Sequence, residues 1–380
     1  MRIGIIAGEA SGDLLGAGLI RRIKARFPDA HCEGVAGPAM LAEGCEALAD
    51  AEELAVMGLI EPLKEIPRLL RLRRRLLRHW RSNRPDVFVG IDAPDFNLGV
   101  ELRLRRAGIP TAHYVSPSVW AWRSGRIKTI RRACDRVLCL LPFEKRFYDE
   151  HGVDAVFVGH PKATELTPDF DQAAIRAEHG MRRDGPLVAL LPGSRGSEVE
   201  RLADVFAKAA ELLHRDSNEC RFVLPVATPK LRPTIVRALA QAGIEAETRL
   251  LDGGSLDAMR AADVVLLASG TAVLEAALLG KPVVAAYRVA PFTARLIRTF
   301  GLIKVQHFTL PNLLTEEPLV PEFIQEAASP ENLAASVASL LDDSERRAGI
   351  RDSFAKLRER LALDADERAA AAVLELVRRV

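Results

Sequence analysis

The chain has 380 residues, a length that predicts two domains of similar size rather than a single core. Its 53 basic and 51 acidic residues nearly balance, so the overall charge does not indicate nucleic acid as a partner. The five cysteines form no C-x-x-C pair, which excludes the usual zinc and disulfide patterns and favours free thiols in a reducing cytoplasm.

Neither a leader nor a membrane span is predicted. The N-terminal apolar run is too short for a signal peptide and enters a glycine turn at once. The apolar stretch from Val264 to Ala286 is interrupted by Glu275, Lys281 and Pro282, so it divides better into strand, helix and strand.

Short apolar runs alternate with amphipathic segments along the whole chain, which is typical of parallel α/β domains. The predicted strands cover residues 2–7, 31–35, 86–91, 110–115, 136–141, 154–158, 187–191, 221–226, 246–250, 263–268 and 282–287. Ligands of such sheets bind at the carboxyl ends of the strands. The turns 8–13, 92–97, 192–198 and 269–275 are therefore expected to line a cleft between two domains.

The domain boundary is predicted near residue 163, because Gly159-His160-Pro161 is followed by a polar stretch with a further proline. We predict one domain over residues 1–163, a second over 164–342 and a charge-rich helical tail over 343–380.

The first strand runs into a glycine turn with two carboxylates, Gly8-Glu9-Ala10-Ser11-Gly12-Asp13, and a helix is predicted to start near Leu14. Helix N-termini favour anions, but Glu9 and Asp13 would repel a diphosphate there. The two glycines are four residues apart, so the dinucleotide fingerprint G-x-G-x-x-G is absent. We therefore expect this turn to face a polyol or an attacking hydroxyl.

A helix with leucines on one face and arginines on the other is predicted to start at Pro67 and to cover residues 68–81. This pattern is that of a helix lying at an anionic membrane surface, although a solvated helix packed on its own sheet explains it slightly better. An apolar run just upstream would enlarge a membrane-facing patch. The candidate membrane-facing residues are Met57, Leu69, Arg71, Leu72, Arg74, Leu76 and Arg78.

A second acidic turn follows the strand 86–91. Asp92 stands at the carboxyl end of that strand, where it could take a proton from an incoming hydroxyl. Asp95 stands where the predicted helix 96–107 needs an N-cap, and we assign it to capping. The loop that follows the next strand contains Trp120 and Trp122, which either line an acceptor site or plug the loop onto the core; both interpretations have equal weight.

In the second half, the strand 187–191 runs into Pro192-Gly193-Ser194-Arg195. Gly193 and Ser194 allow the backbone to approach a ligand closely, and Arg195 offers a charged fork for phosphate oxygens. Ser197 and Glu200 have the spacing of a capping box for the next helix.

A matching motif, Ser269-Gly270-Thr271, begins the predicted helix 271–279, whose first turn carries no acid. Glu275 lies one turn further on, where a carboxylate could accept hydrogen bonds from ribose hydroxyls. Either second-half motif alone is explained by helix capping and a surface arginine. At neighbouring strand ends of one domain, they together favour a nucleotide diphosphate site.

No metal site is predicted. Asp169-Phe170-Asp171 matches the short D-x-D pattern of metal-dependent sugar transfer, but it follows a proline in the linker and is typical of a helix start. Without a metal, a leaving diphosphate would be stabilised by Arg195 and by N–H groups at helix ends.

Five motifs resemble the lipid-A-disaccharide synthases, a family of glycosyltransferases with two facing Rossmann-like domains of the GT-B type. They are Gly8-Glu9-Ala10-Ser11-Gly12-Asp13, Gly90-Ile91-Asp92-Ala93-Pro94-Asp95-Phe96-Asn97, Ser116-Pro117-Ser118-Val119-Trp120-Ala121-Trp122, Pro192-Gly193-Ser194-Arg195 and Leu310-Pro311-Asn312-Leu313-Leu314. The resemblance covers nearly the whole chain, and the first three motifs are specific to that family.

The resemblance implies transfer of 2,3-diacylglucosamine from UDP to 2,3-diacylglucosamine 1-phosphate, with inversion, no metal and no cofactor. The products would be a β-1,6 disaccharide and UDP. It implies that Asp92 is the base, that Glu9 and Asp13 lie near the reacting sugars, and that Arg195 and Asn312 hold the nucleotide. Acylated substrates further imply a cytoplasmic protein bound peripherally to the inner face of the membrane. A homodimer is compatible with the resemblance.

Two other functions stay open on the sequence alone. A UDP-sugar epimerase would share the architecture and the second-half motifs, but it needs no lipid-facing surface. A non-catalytic nucleotide-sugar binder would need no carboxylate at Asp92. Release of UDP only when a lipid monosaccharide phosphate is added would separate transfer from both.

Overall fold

The computed structural model describes residues 1–55, 62–121, 124–290 and 307–378. The chain forms two compact units. Unit 1 comprises Met1–Pro161 with Leu361–Val380, and unit 2 comprises Lys162–Arg360. Each unit is an α/β domain with one parallel sheet, and the two Rossmann-like domains expected from the sequence are confirmed.

The strands of unit 1 are β1 Arg2–Ala7, β2 His31–Ala36, β3 Glu46–Asp50, β4 Val87–Ile91, β5 Thr111–Tyr114, β6 Arg136–Cys139 and β7 Ala155–Phe157. The strands of unit 2 are β8 Leu187–Leu191, β9 Arg221–Val226, β10 Thr248–Asp252, β11 Val264–Ala268, β12 Val283–Tyr287 and β13 Glu322–Ile324.

The described helices up to the unit boundary are α1 Ala10–Arg26, α2 Pro38–Ala42, α3 Glu52–Ala55, α4 Pro62–Ser82, α5 Pro94–Arg106, α6 Ile127–Ala133, α7 Pro142–Glu150 and α8 Pro161–Glu165. Those that follow are α9 Gln172–Glu178, α10 Gly196–Asp216, α11 Arg232–Ala242, α12 Ser255–Ala261, α13 Thr271–Leu278, α14 Leu310–Leu314, α15 Pro330–Asp342, α16 Ser344–Leu361 and α17 Ala365–Val377.

The sheet of unit 1 has the order β3-β2-β1-β4-β5-β6-β7, and all its strands are parallel. Side chains alternate between its two faces, so Ile3 and Ile5 pack into one apolar cluster and Ile6 packs into another. Helices α1 and α17 cover the first face, and α4 and α5 cover the second. Burial on both faces explains why these strands are continuously apolar in sequence.

The C-terminal tail differs from the separate segment predicted over 343–380. Helix α16 belongs to unit 2 up to Arg360, whereas α17 belongs to unit 1. Arg136 attaches α17 to the sheet, because its guanidinium donates to the Ala372 carbonyl at 2.9 Å and to the Glu375 carboxylate at 2.7 Å. The apolar face of α17, with Ala369 and Val373, is fully buried.

The sheet of unit 2 has the order β10-β9-β8-β11-β12-β13 and is also parallel. Strands β8 and β11 lie at its centre, and every residue in them is buried. The segment 264–286 forms β11, α13 and β12, as the sequence predicts. Within the described residues, no helix is both long enough and apolar enough to cross a lipid bilayer.

The two strands that the sequence analysis missed, β3 and β13, both lie at sheet edges. Strand β3 is largely exposed and β13 is only half-buried, so neither has the buried apolar run by which central strands are recognised. Strand β10 lies two residues after its predicted position. Helix α4 begins at Pro62 and not, as the sequence predicted, at Pro67. A proline is favoured in the first turn of a helix, and Pro62 occupies that turn, so Pro67 lies inside the helix.

Candidate functional site

In each sheet the strand order reverses between two central strands, and ligands of open α/β sheets bind at this switch point. In unit 1 the reversal lies between β1 and β4, and in unit 2 between β8 and β11. The turns that follow these four strands begin at Gly8, Asp92, Pro192 and Ser269. The four turns singled out in the sequence therefore flank the two switch points.

The turn after β4 has a strained backbone. Asp92 and Ala93 have φ values of 51° and 42°, in the left-handed region that residues other than glycine rarely occupy. Such strain costs roughly 1–3 kcal/mol per residue and concentrates at functional sites. The Asp92 carboxylate is half-buried and forms no hydrogen bond or ion pair with any described residue. It is therefore free to accept a proton from a ligand.

Asn97 holds the strained turn in place. Its side-chain nitrogen donates to the carbonyl oxygens of Ile91 at 3.2 Å and Asp92 at 2.8 Å. Gly8 packs against the same turn, since a Cβ built on Gly8 would lie only 2.6 Å from the Ala93 Cβ. The two acidic turns of unit 1 are therefore in direct contact, and that contact requires glycine at position 8.

The structure separates the roles of the two carboxylates in the first turn. Helix α1 starts at Ala10 rather than near Leu14, so Glu9 occupies the N-cap position. The Glu9 side chain is exposed and caps no N–H group. Its carboxylate is thus available to a ligand at the same switch point as Asp92.

Asp13, which the resemblance places near the reacting sugars, has its carboxylate engaged by backbone N–H groups. Its buried carboxylate accepts hydrogen bonds from the backbone N–H groups of Gly37 at 2.9 Å, Ala39 at 2.8 Å and Met40 at 3.1 Å. These groups form the N-terminus of α2, where a negative charge is favoured by the helix dipole. Asp13 therefore caps the N-terminus of α2, although it is distant from α2 along the chain.

Two local capping predictions also need correction. Helix α5 begins at Pro94 with Ala93 as its N-cap, and Asp95 forms an ion pair with Arg126 instead of capping. Helix α10 begins at Gly196, so its cap is not formed by Ser197 and Glu200. The Glu198 carboxylate accepts the N–H groups of Ser194 at 3.2 Å and Arg195 at 3.3 Å. By contrast, Asp171 caps α9, which confirms that the D-x-D segment is a helix start.

Trp120 packs its loop onto unit 1. Its ring lies edge-on to Phe143, with centroids 4.8 Å apart, and its indole N–H donates to Glu144 at 3.3 Å. Burial raises the pKa of Glu144 to about 7, although hydrogen bonds from the Leu141 N–H and the Trp120 indole oppose this shift. The interpretation of Trp120 as a loop plug is therefore the one that the contacts support. Trp122 lies outside the described residues.

Unit 2 contains an open cavity of about 530 Å³ at its switch point. We call it the carboxyl-edge cavity. Seven residues predicted to bind a nucleotide line it, namely Gly193, Ser194, Arg195, Ser269, Gly270, Thr271 and Glu275. Its volume falls within the range of about 300–1,000 Å³ that is usual for small-molecule sites.

The loop after β8 presents its charge to this cavity. Gly193 has a φ of 127°, and a Cβ at that position would lie 2.6 Å from the Glu198 Cβ, so glycine is required there. The Arg195 side chain is 71% exposed and contacts Glu198 at 3.2 Å. An exposed guanidinium with a single weak partner is able to turn towards an anionic ligand.

Helix α13 starts at the cavity with no acid in its first turn and no side chain capping its N–H groups. Such an N-terminus carries a partial positive charge that suits phosphate oxygens. Glu275, one turn further on, lines the cavity and lies 3.6 Å from Lys162. Its carboxylate can accept hydrogen bonds from a polyol at the same helix end.

Asn312 lies elsewhere and does not line this cavity. It is buried, its side-chain nitrogen donates to the Val320 carbonyl at 2.8 Å, and its oxygen accepts the N–H groups of Leu319 and Val320. With three of its four hydrogen bonds used in this way, Asn312 positions the segment before β13. The nucleotide contact that the resemblance implies for Asn312 stays a prediction.

Among the residues of the cavity to which the sequence analysis gave no individual role are a glycine turn and an acidic residue. The turn Gly253-Gly254-Ser255 after β10 lines it, as does Glu198. The glycine turn had a visible signal, since it follows a strand and begins helix α12. Glu198 had none, because only the folded loop brings its carboxylate back to the Ser194 and Arg195 N–H groups.

The leucines of α4 do not face outward as a membrane surface would require. Leu72 and Leu76 are buried in the apolar core beneath the sheet, and Leu69 packs against it. This finding corrects their assignment as membrane-facing. Arg71, Arg74 and Arg78 on the opposite face are exposed. Met57 lies outside the described residues.

The sequence pattern described as Lipid-A-disaccharide synthetase matches residues 3–376 of this chain. A lipid-A-disaccharide synthase from Alkalilimnicola ehrlichii is 52% identical over 376 residues, which cover 98% of each chain. One from Pseudomonas aeruginosa is 50% identical over 379 residues, which cover 100% of this chain and 99% of the relative.

Solved structures agree with the fold. A UGT transferase from Siraitia grosvenorii in complex with UDP superimposes with a TM-score of 0.65 at 11% identity, covering 99% of both chains. A UDP-GlcNAc 2-epimerase from Neisseria meningitidis bound to UDP-GlcNAc superimposes with a TM-score of 0.61 at 12% identity over the full length of both. These likenesses show the architecture alone, whereas the full-length sequence matches show that the chain belongs to the lipid-A-disaccharide synthetase family.

Proposed function

We propose that this chain transfers 2,3-diacylglucosamine from its UDP donor to 2,3-diacylglucosamine 1-phosphate, producing the lipid A disaccharide phosphate and UDP. The observation that carries the proposal is the unpaired carboxylate of Asp92 on a strained turn at the switch point of unit 1. Family membership supports the substrate class, and the geometry supports the assignment of a base to unit 1 and of an anion site to unit 2.

We assign the UDP moiety to the carboxyl-edge cavity. Arg195 and the uncapped N-terminus of α13 would bind the diphosphate, and Glu275 would accept the ribose hydroxyls. The same positive groups would stabilise the charge that develops on the diphosphate as it leaves. Asn312 would support this site indirectly, through the segment before β13.

We assign the base to Asp92. In a single displacement, the acceptor hydroxyl oxygen forms a bond to the anomeric carbon of the donor while the bond from that carbon to the phosphate oxygen breaks. The hydroxyl proton passes to the Asp92 carboxylate, and UDP leaves with the bonding electrons. One displacement inverts the anomeric centre. Glu9, whose exposed carboxylate has no described partner, would bind a sugar hydroxyl nearby.

The test is a UDP-release assay with and without the acceptor. We expect UDP to be released only when 2,3-diacylglucosamine 1-phosphate is present, together with formation of a β-linked disaccharide. Several structural neighbours are epimerases, so conversion of the UDP-sugar without any acceptor is the informative contrary result. Binding of the UDP-sugar without either reaction would indicate a non-catalytic nucleotide-sugar binder.

We further propose that the enzyme docks peripherally on the inner face of the cytoplasmic membrane through the exposed arginines of α4. Since Leu72 and Leu76 of this helix are buried, attraction to anionic lipids must supply most of the affinity. Each basic residue near an anionic leaflet contributes about 1 kcal/mol, and salt screens the attraction. Exposed Ile66 at the start of the helix would add a small apolar contact.

The matched experiment reverses three charges on α4, with Arg71, Arg74 and Arg78 each changed to Glu. Vesicle binding and activity on long-chain substrates should fall, while activity on a short-chain soluble substrate should persist. The control reverses three exposed arginines of unit 2, Arg215, Arg237 and Arg346, and so changes the net charge equally. Equal losses in both variants would refute a specific docking surface, and sedimentation would show whether the enzyme is also a homodimer.

A further inference from the structure

Unit 2 contains a second cavity, of about 500 Å³, that shares no residue with the carboxyl-edge cavity. It includes Asp263 and Lys281, which directly precede β11 and β12. Because the strands are parallel, residues that precede them lie at the amino edge of the sheet, opposite the switch-point turns. We call this the amino-edge cavity. Neither the proposed reaction nor the family motifs use it.

Three cations line the amino-edge cavity. Lys281 comes from the turn after α13, and Arg347 and Arg351 lie one turn apart on the same face of α16. None of the three forms an ion pair with a described residue. Arg347 Nη1 donates to the Leu340 carbonyl at 2.6 Å and also to the Leu341 carbonyl, which leaves its Nε and Nη2 donors without a described hydrogen bond.

The acids of the cavity do not neutralise these cations. The Asp263 carboxylate accepts the Arg176 guanidinium at 2.9 Å and the Leu187 N–H at 2.9 Å. Its charge is therefore already balanced by an arginine that does not line the cavity. Asp352 is exposed. With Asp263 balanced by Arg176, the three cations outnumber the one remaining carboxylate, Asp352, so the lining keeps a net positive charge.

Lys281 is the strongest single indication of a ligand. Its side chain is buried, yet its ammonium donates only one described hydrogen bond, to the Ala262 carbonyl at 2.8 Å. An ammonium has three donors, and buried donors are almost always satisfied. The Phe170 ring lies 4.9 Å from the nitrogen and adds a favourable cation–π contact, but it accepts no proton. The Ala262 carbonyl thus accounts for only one of the three ammonium donors of Lys281.

We propose that the amino-edge cavity binds a small phosphate-bearing anion at a site separate from the transferase reaction. Arg347 and Arg351 supply planar donors for phosphate oxygens, and Lys281 supplies a buried charge beneath them. The apolar side of the cavity, which includes Phe170, would contact the carbon skeleton of such a ligand.

The experiment measures binding of inorganic pyrophosphate to the full chain by calorimetry, with UDP present at saturation. We expect one bound pyrophosphate and a loss of affinity of about tenfold or more in Arg351→Ala, because a charge-assisted contact is removed. Arg351 is exposed, so this variant is expected to fold normally. Lys356→Ala removes an equal charge from an exposed site on the same helix and should change the affinity less than twofold.

A second readout tests Lys281. Burial lowers the pKa of Lys281 to about 8, and an anion beside its nitrogen would raise it again. Pyrophosphate binding near pH 8 should therefore take up protons, seen as a dependence of the binding enthalpy on the buffer. Lys281→Met should abolish this uptake.

Four results would overturn the proposal. Pyrophosphate fails to bind the UDP-saturated enzyme, or it binds Arg351→Ala as tightly as the parent. Alternatively, affinity falls in Arg195→Ala and not in Arg351→Ala, which would assign the anion to the carboxyl-edge cavity. Citrate bound as tightly as pyrophosphate would refute the preference for phosphate.

Discussion

Units 1 and 2 present opposite charge at the same edge of the same kind of sheet. In unit 1 the turns beside the switch point are in contact, and they present the carboxylates of Glu9 and Asp92. In unit 2 the corresponding turns surround an open cavity with Arg195 and an uncapped helix N-terminus. The fold thus supplies a position, and the residues of each turn decide whether it favours a hydroxyl or a phosphate.

The difference also concerns what holds each turn. Unit 1 holds Asp92, the proposed base, on a turn with backbone strain at two residues, and Asn97 donates hydrogen bonds to the carbonyls of that turn. Unit 2 uses Glu198 to fasten the N–H groups of its loop. A carbonyl needs a donor and an N–H group needs an acceptor, so an amide serves one loop and a carboxylate the other.

The sharpest test of the comparison is Asp92→Asn. Turnover is expected to fall at least about 100-fold, because the variant cannot take the hydroxyl proton, while UDP affinity stays unchanged. Asparagine tolerates the left-handed backbone as aspartate does, so the turn should keep its geometry. Steady-state kinetics and UDP calorimetry on the same preparation provide the measurement.

Asp95→Asn is the matched control, since it removes a carboxylate three residues away that pairs with Arg126. Its turnover should stay within about twofold of the parent, as expected for one exposed ion pair. Similar losses in the two variants would exclude a specific role for Asp92.

The second test is Arg195→Ala, which should weaken UDP binding about tenfold or more and lower the rate as well. A contact to the diphosphate exists before and during the reaction, in contrast to proton abstraction. Arg201→Ala removes a charge from the same helix that does not line the cavity and should leave UDP affinity unchanged. Unaltered calorimetry in Arg195→Ala would remove this residue from the site.

The third test asks whether Asp13 is structural. Asp13→Asn should lower the free energy of unfolding by about 1–3 kcal/mol, because the N-terminus of α2 loses a charged cap. The turnover of the folded enzyme should be retained. Denaturant unfolding and kinetics measure both quantities, with Glu9→Gln as the control that should leave stability unchanged. A catalytic defect with normal stability would return Asp13 to the chemistry.

The smallest effect concerns the pH dependence of unit 1. Burial raises the pKa of Glu144 from 4.5 to about 7, so the folded state binds this proton more tightly than the unfolded state. The resulting stabilisation is complete below about pH 4.5 and is lost as the pH rises through 7. Glu144→Gln should remove a decrease on the order of 1 kcal/mol between pH 5 and 7. Parallel melting profiles of parent and variant over this range would contradict it.

Much of the fold is visible in the sequence, because the buried strands of both sheets are continuous apolar runs that end in glycine or acidic turns. The four turns at the switch points and seven residues of the carboxyl-edge cavity follow from that pattern. The edge strands β3 and β13 do not, since an exposed strand has no apolar run and is recognised only when its neighbour pairs with it.

The sequence by itself determined which strand ends carry chemistry and which sign of charge each carries. Only the tertiary structure decided what each charged group does, because its partner is remote along the chain. Asp13 is saturated by N–H groups 24–27 residues away, and Arg136 holds a helix that starts more than two hundred residues later. Likewise, the buried leucines of α4 pack against the apolar face of the sheet, because this contact removes both apolar surfaces from water. A local pattern records the amphipathic face, and the rest of the fold determines what covers it.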